Sequence, residues 1–322
     1  MTAKHQWNPV VRRVAANYLC IQGVSGMLWW VLLLASPSSR HWFLPEQFAQ
    51  DWIIPIAVAD ISLFAIGSCV AATICVRSSK LAGLACASVA GIASYAFLLI
   101  LGASLYTNEG WLGTVLMVLS LCMSIACTIL VSSERAISKL FRVSQVRADH
   151  QILARTLLQS ALFWLTLLVL LPAGLHALER NARIPTFQTP PLLRVASVFI
   201  FIMGGSLGLM SGYIMARIGK GTPIPLESAR LLVIEGPYKH VRNPMAIGGL
   251  TQGAAVALWL GSPVATIYVL LGGIVWNFFL RPLEEHDLQC RFSTEYQAYK
   301  KHVRCWIPIV PGYECSSKQI TT

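Results

Sequence analysis

The chain has 322 residues, 55% of them hydrophobic and only 12% charged, with a formal net charge of +11 and a mean hydropathy of +0.61. A soluble domain carries about a quarter charged residues, so that class is excluded, and several apolar runs approach the ~20 residues a helix needs to cross a bilayer. These runs are continuously apolar, which excludes the alternating strands of a membrane barrel, and the basic residues show no aromatic interleaving of a nucleic-acid module.

The expected fold is all-α, a polytopic membrane protein of about eight spans. In chain order they fall at about residues 15–35, 52–76, 81–106, 111–131, 157–178, 192–218, 245–260 and 263–280, the seventh being short. The first run follows Lys4, Arg12 and Arg13 like a signal peptide. It is longer than a 7–15-residue signal core and lacks an A-x-A cleavage site, so it reads as a first membrane helix.

The second span holds a single carboxylate, Asp60. Intramembrane acids are functional candidates, and a neutral, hydrogen-bonded packing residue is the alternative. The third span is rich in small residues and the sixth contains Gly204, Gly205, Gly208 and Gly212; both patterns suit close helix packing, although the glycines also permit backbone approach to a ligand.

Residues 133–155 form a polar, basic, helix-friendly linker. It separates an N-terminal four-helix region (1–132) from a C-terminal region (156–322). The segment GKGTP after the sixth span lacks the glycine spacing of a phosphate loop. Nine cysteines form no CxxC pair and most lie in apolar runs, where cysteine behaves as a small hydrophobe, so neither a metal site nor a disulfide framework is expected.

Of the 25 Lys and Arg residues, Arg40, Arg180, Arg183 and Arg194 fall in loops on one side of this arrangement and the rest fall on the other. Basic loops stay in the cytoplasm, so both termini are expected there, in a cell membrane if the source is bacterial or the endoplasmic reticulum if it is eukaryotic. The basic excess also suits anionic headgroups.

Charge is scarce in this chain, yet it gathers between residues 235 and 308. EGPYKHVRNPM opens the stretch, two apolar segments follow, and RPLEEHDLQCRFSTEYQAYKKHVR closes it. Cations (Lys239, His240, Arg242) before one helix and paired acids (Glu284, Glu285) after the next suit a mixed-charge ligand: Arg242 or Arg281 for a carboxylate, either glutamate for an ammonium. Tyr238 offers a stacking face, and Gly236 offers backbone amides between stiff turns at Pro237 and Pro244. Past the last span, Leu288, Phe292, Tyr296, Tyr299 and Val303 share one face of a helix, expected to lie on the membrane surface or to cap the hairpin. Trp306 and Pro308 then read as an interfacial anchor and a helix stop.

The segment GPYKHVRNPM, a hairpin, then EE and RFSTEYQAYKKHV resembles the isoprenylcysteine carboxyl methyltransferase and phospholipid methyltransferase family, whose pattern runs GPY-x-x-VRHP-x-Y, hairpin, EE-x-x-L-x-x-x-F-G-x-x-Y-x-x-Y. The resemblance covers residues 235–308. It implies an integral-membrane transferase using S-adenosyl-L-methionine on a lipid or lipidated acceptor, isoprenylcysteine carboxylate or similar. By it, Tyr238, Arg242, Asn243, Pro244, Glu284 and Glu285 fall on cofactor-binding positions, and Arg291 falls where the family has an arginine implicated in substrate handling or catalysis. The reading of the residues themselves adds Gly236 and Arg281 as cofactor contacts, and Glu285 is the second catalytic candidate. The chain departs from the pattern at Asn243 (family histidine), Ala246 (family tyrosine) and Ser293 (family glycine). Two other classes stay open on the residues alone: a sterol-reductase-like enzyme using a reduced nicotinamide, and a non-enzymatic scaffold or transporter. No internal repeat of transporter type is visible.

Overall fold

The computed structural model describes residues 8–78, 80–132, 149–221 and 229–314. Most of the basic linker and part of the loop after the sixth span lie outside these residues. The described residues are helical with no strand. Seven helices are long and apolar enough to cross a membrane, and an eighth, Pro244–Leu260, is apolar but shorter.

We number the principal helices α1 (Asn8–Ala35), α2 (Ile53–Arg77), α3 (Ala82–Thr107), α4 (Trp111–Ser132), α5 (His150–Asn181), α6 (Pro191–Arg217), α7 (Pro244–Leu260), α8 (Pro263–Val275) and α9 (Arg281–His302). A π-helical turn, Trp276–Leu280, joins α8 to α9. The continuous stretch Pro263–His302 has 40 residues, about 60 Å at 1.5 Å per residue, twice the hydrocarbon thickness of a bilayer. Its apolar part ends at Leu280, and the charged α9 lies beyond the span.

The chain divides into two compact units. The first holds α1 to α4 together with the short returns Ala177–Pro185 and Phe278–Leu283. Here α1 lies so close to α2 that a Cβ on Gly23 would sit 2.6 Å from the Ala65 carbonyl oxygen. A buried polar cluster ties three helices: Gln22 donates to Ser68 Oγ at 3.0 Å, Ser120 and Ser124 donate to Gln22 Oε1 at 2.8 and 3.2 Å, and Tyr18 donates to the same oxygen. Polar side chains inside a membrane need such partners, because lipid supplies none. Arginines close helix ends: Arg12 donates to the Cys75 and Val76 carbonyls at 3.0 and 3.1 Å, and Arg40 to Leu33 at 2.7 Å. Cations there satisfy orphan carbonyls and face the negative end of the dipole.

The second unit contains most of α5, then α6, α7 and α8, and the chain from Glu284 onward. The glycines of α6 serve packing. A Cβ on Gly204 would lie 2.8 Å from Gly248 O of α7, and one on Gly248 would lie 2.7 Å from Gly204 O. The α7–α8 hairpin turns on Gly261 in the left-handed region (φ +61°). Ser262 then caps α8 by accepting from Ala265 N at 2.9 Å, and Pro263 fills the first helical position, as that signature demands.

α9 departs from the uniform surface helix anticipated over residues 286–303. It continues the last span and breaks at Ser293 (φ 35°, ψ −105°). Its apolar face exists, but Tyr296, Tyr299 and Val303 are buried against Leu232, Ile234, Ile309 and Tyr313 of the same unit. Of the two placements anticipated, the face covers protein rather than lipid. Trp306 likewise packs edge-on against Trp276 and donates to Asn277 Oδ1 at 2.9 Å, so it is more than an interfacial anchor.

Candidate functional site

The described part of the segment between α6 and α7, residues 229–243, is anchored through its backbone. Gly236 starts a single 3-10 turn, Gly236–Lys239, with φ +57°, a conformation glycine adopts without a Cβ penalty. The turn is fastened from the C-terminal side. Tyr299 donates to Tyr238 O at 2.6 Å, Arg242 N donates to Arg304 O at 3.0 Å, Ile309 N to His240 O at 2.9 Å, and Tyr313 N to Lys239 O at 2.9 Å. Residues 61 to 74 positions away in sequence thereby fix the stretch of backbone that presents Tyr238, Arg242 and Asn243.

These three side chains share the wall of one cavity with Glu284, Glu285 and Arg291. It encloses about 110 Å³. Two further residues anticipated at the site act through the backbone: Gly236 makes the turn, and the buried Pro244 opens α7 at its first position. Arg281 belongs to the first unit and is not among the cavity-lining side chains.

The electrostatics divide the two glutamates. Glu285 bridges two cations, with Arg242 Nη1 2.6 Å from Oε1 and Lys300 Nζ 2.6 Å from Oε2. The arginine and one of the acids expected to grip opposite ends of a ligand are thus paired with each other. Glu284 faces the same cavity without an ion-pair partner among the described residues. Burial, then the neighbouring charges of Glu285 and Asp287, push its carboxyl from the ordinary 4.5 up to about 7, since desolvation and like charge both disfavour the anion.

Two buried polar groups lining this cavity lack partners. The Tyr238 hydroxyl and Arg242 Nε have no hydrogen bond, and burial holds the Tyr238 phenol well above its ordinary pKa. Unmet buried donors are rare in folded proteins. Beside an unpaired carboxylate, they make a donor set suited to a ligand carrying both an ammonium and hydrogen-bond acceptors.

Arg291 is held in place by Asp287, with Nη2 2.5 Å and Nε 2.8 Å from Oδ2, and it also donates to the Ala229 carbonyl. Asn243 leaves the helix end uncapped and turns its amide to Cys305 Sγ at 3.7 Å. Sequence reasoning did not bring Asp287, Lys300, Ile309 or Tyr313 to the site, and it read Trp306 and Pro308 as an anchor and a helix stop and Tyr296 and Tyr299 chiefly as a packing face. The EY-QA-Y spacing after the paired glutamates carried the signal for the two tyrosines. Nothing in the sequence signalled Lys300, whose position depends on the break at Ser293.

The phospholipid methyltransferase family matches this chain over residues 193–295, which takes in α6, the turn at Gly236, the hairpin and the first half of α9. A protein-S-isoprenylcysteine O-methyltransferase of Schizosaccharomyces pombe is 28% identical over 191 residues, 55% of this chain and 78% of that one. An uncharacterized protein of Haemophilus influenzae is 40% identical over 53 residues, 16% of this chain and 84% of its own. No solved structure matches. Helices long and apolar enough to cross a membrane, together with these likenesses, support a membrane methyltransferase of the multi-pass kind. Residues 193–295 are thus similar to the phospholipid methyltransferase family, and a methyltransferase implies a methyl donor.

Proposed function

We propose that the methyl donor is S-adenosylmethionine, that it binds at the cavity between the Gly236 turn and α9, and that the acceptor is the carboxylate of an isoprenylcysteine-like lipid. The observation that carries this reading is the unpaired Glu284 carboxylate facing the same 110 Å³ space as the under-satisfied Tyr238 hydroxyl and Arg242 guanidinium. That volume suits the amino-acid end of the donor and not its nucleoside. Bound there, the sulfonium supplies an electrophilic methyl group.

The chain's own residues do the rest. Glu284 takes the ammonium, and Arg242 and the Asn243 amide hold the carboxylate by charge-assisted bonds. Glu285 is a positioning residue: clamped by Lys300, it holds the Arg242 fork in one orientation. Arg291, fixed by Asp287, faces the cavity and holds the carboxylate of the acceptor. A carboxylate needs no base to attack a methyl group, so orientation and exclusion of water supply most of the acceleration.

By the distribution of basic loops this end of the protein faces the cytoplasm, as do both termini. The test is calorimetry with S-adenosylmethionine and S-adenosylhomocysteine, followed by transfer of labelled methyl to farnesylcysteine. Absence of donor binding would sink the site; donor binding without farnesylcysteine methylation would sink only the acceptor. In that case a 14-dalton (one CH₂) increment in a membrane-lipid extract identifies the true acceptor.

A further inference from the structure

A second cavity lies wholly within the first unit, in a part of the chain outside the residues matched by the methyltransferase family. It has a volume of about 410 Å³, inside the ~300–1,000 Å³ range of small-molecule sites. Its walls are apolar and aromatic, with Phe48, Trp52, Ile56, Tyr95 and Leu99 among them, and Asp60 is its one charged lining residue. Trp52 and Tyr95 are exposed at 59% and 72%, so the cavity opens to the outside of the protein.

Asp60 lies about 10 Å along α2 from Ile53, at 1.5 Å per residue, well inside a span that contains no other acid. It begins a π-helical stretch, Asp60–Ile66, an irregularity frequent at functional sites. The buried Trp30 side chain lies beside it. A carboxylate offers about four acceptor positions, more than one neighbouring indole could fill. An acid kept only for packing would be enclosed by side chains; this one opens onto a large cavity. Such groups inside membranes pair with cations or line substrate paths.

We propose that this cavity binds a cationic amphiphile, an alkyl chain bearing one protonated amine. Asp60 supplies the counter-charge. Trp52 and Tyr95 offer ring faces that attract an ammonium electrostatically, and Phe48, Ile56 and Leu99 accept the chain. An anionic lipid is repelled by the same carboxylate, and an alcohol gains only one hydrogen bond from it. The binding stands apart from the methyl-transfer cavity and does not depend on how that site works.

The test uses the full chain in phosphatidylcholine nanodiscs and three photoreactive probes with identical dodecyl chains: a primary ammonium, an alcohol and a carboxylate. Labelled peptides are mapped by mass spectrometry. Saturable labelling around Trp52 and Tyr95 by the ammonium, about ten-fold above the alcohol, is expected, with the carboxylate lowest. Asp60→Asn should bring ammonium and alcohol to the same level; the amide has the size and shape of the carboxylate, so the fold is kept. Leu99→Trp fills the cavity, leaves the carboxylate in place, and should abolish saturable labelling by every probe. Equal labelling by all three probes in the parent chain, or ammonium labelling indifferent to either substitution, overturns the proposal.

Discussion

Glu284 and Glu285 are neighbours in the chain and occupy opposite electrostatic situations. Glu285 is neutralised on both oxygens by Arg242 and Lys300, whereas burial and nearby acids raise the Glu284 carboxyl to about 7. Without ligand, the native state holds this proton up to about pH 7, while the unfolded chain releases it near 4.5. The native state therefore binds more protons across that window, and its stability falls as pH rises from 4.5 to 7. Thermal unfolding in detergent should show this slope, and Glu284→Gln should flatten it.

Donor binding has the opposite sign. An ammonium needs the ionised carboxylate, so affinity measured by calorimetry should fall below pH 7, by up to about ten-fold per pH unit. Removing the other charge acts differently. Arg242→Ala leaves Glu285 with fewer partners and strips the cavity of its guanidinium; donor affinity should fall about 10–100-fold, the worth of one or two hydrogen bonds to charged groups.

Among the elements, α9 decides the site. Glu285 and Lys300 are fifteen residues apart, about 22 Å along a straight helix, yet their side chains meet at 2.6 Å. The break at Ser293 makes that possible. Ser293 stands at the position where the related pattern has glycine, and its φ of 35° with ψ of −105° is a conformation that glycine adopts without strain. Ser293→Gly should accordingly raise stability by about 1 kcal/mol and leave methyl transfer intact, read by thermal unfolding and turnover together. The turn before α7 gives the converse case. Gly236→Ala imposes a side chain at φ +57°, where its Cβ would meet Ile214 Cδ1 at 2.3 Å, and should cost about 1–2 kcal/mol while weakening donor binding.

At the scale of the whole molecule, the uneven placement of Lys and Arg makes a topological prediction. In a cysteine-free background and in sealed vesicles of known orientation, a cysteine introduced at Lys80 should react with an impermeant maleimide only from the cytoplasmic face, and one at Ser38 only from the opposite face. The reverse pattern would overturn the orientation.

Apolar run length, the GPY-x-x-VR-x-P turn and the paired glutamates were legible from residues alone, because each rests on local chemistry: hydropathy per residue, turn preference, charge. The class of enzyme came instead from the resemblance of those motifs to a known family, because residue chemistry alone left a reductase and a transporter open. What the sequence could not decide were relations between distant groups. It offered Arg242 and both glutamates as equivalent ligand contacts, and it offered Tyr296 and Tyr299 as a face without saying what covers it. The tertiary structure paired Arg242 with Glu285, left Glu284 unpaired, folded Lys300 back across the Ser293 break and buried both tyrosines. Ion pairing and burial depend on through-space distances of a few ångströms, which the order of residues does not specify once a helix bends or a distant segment docks against it.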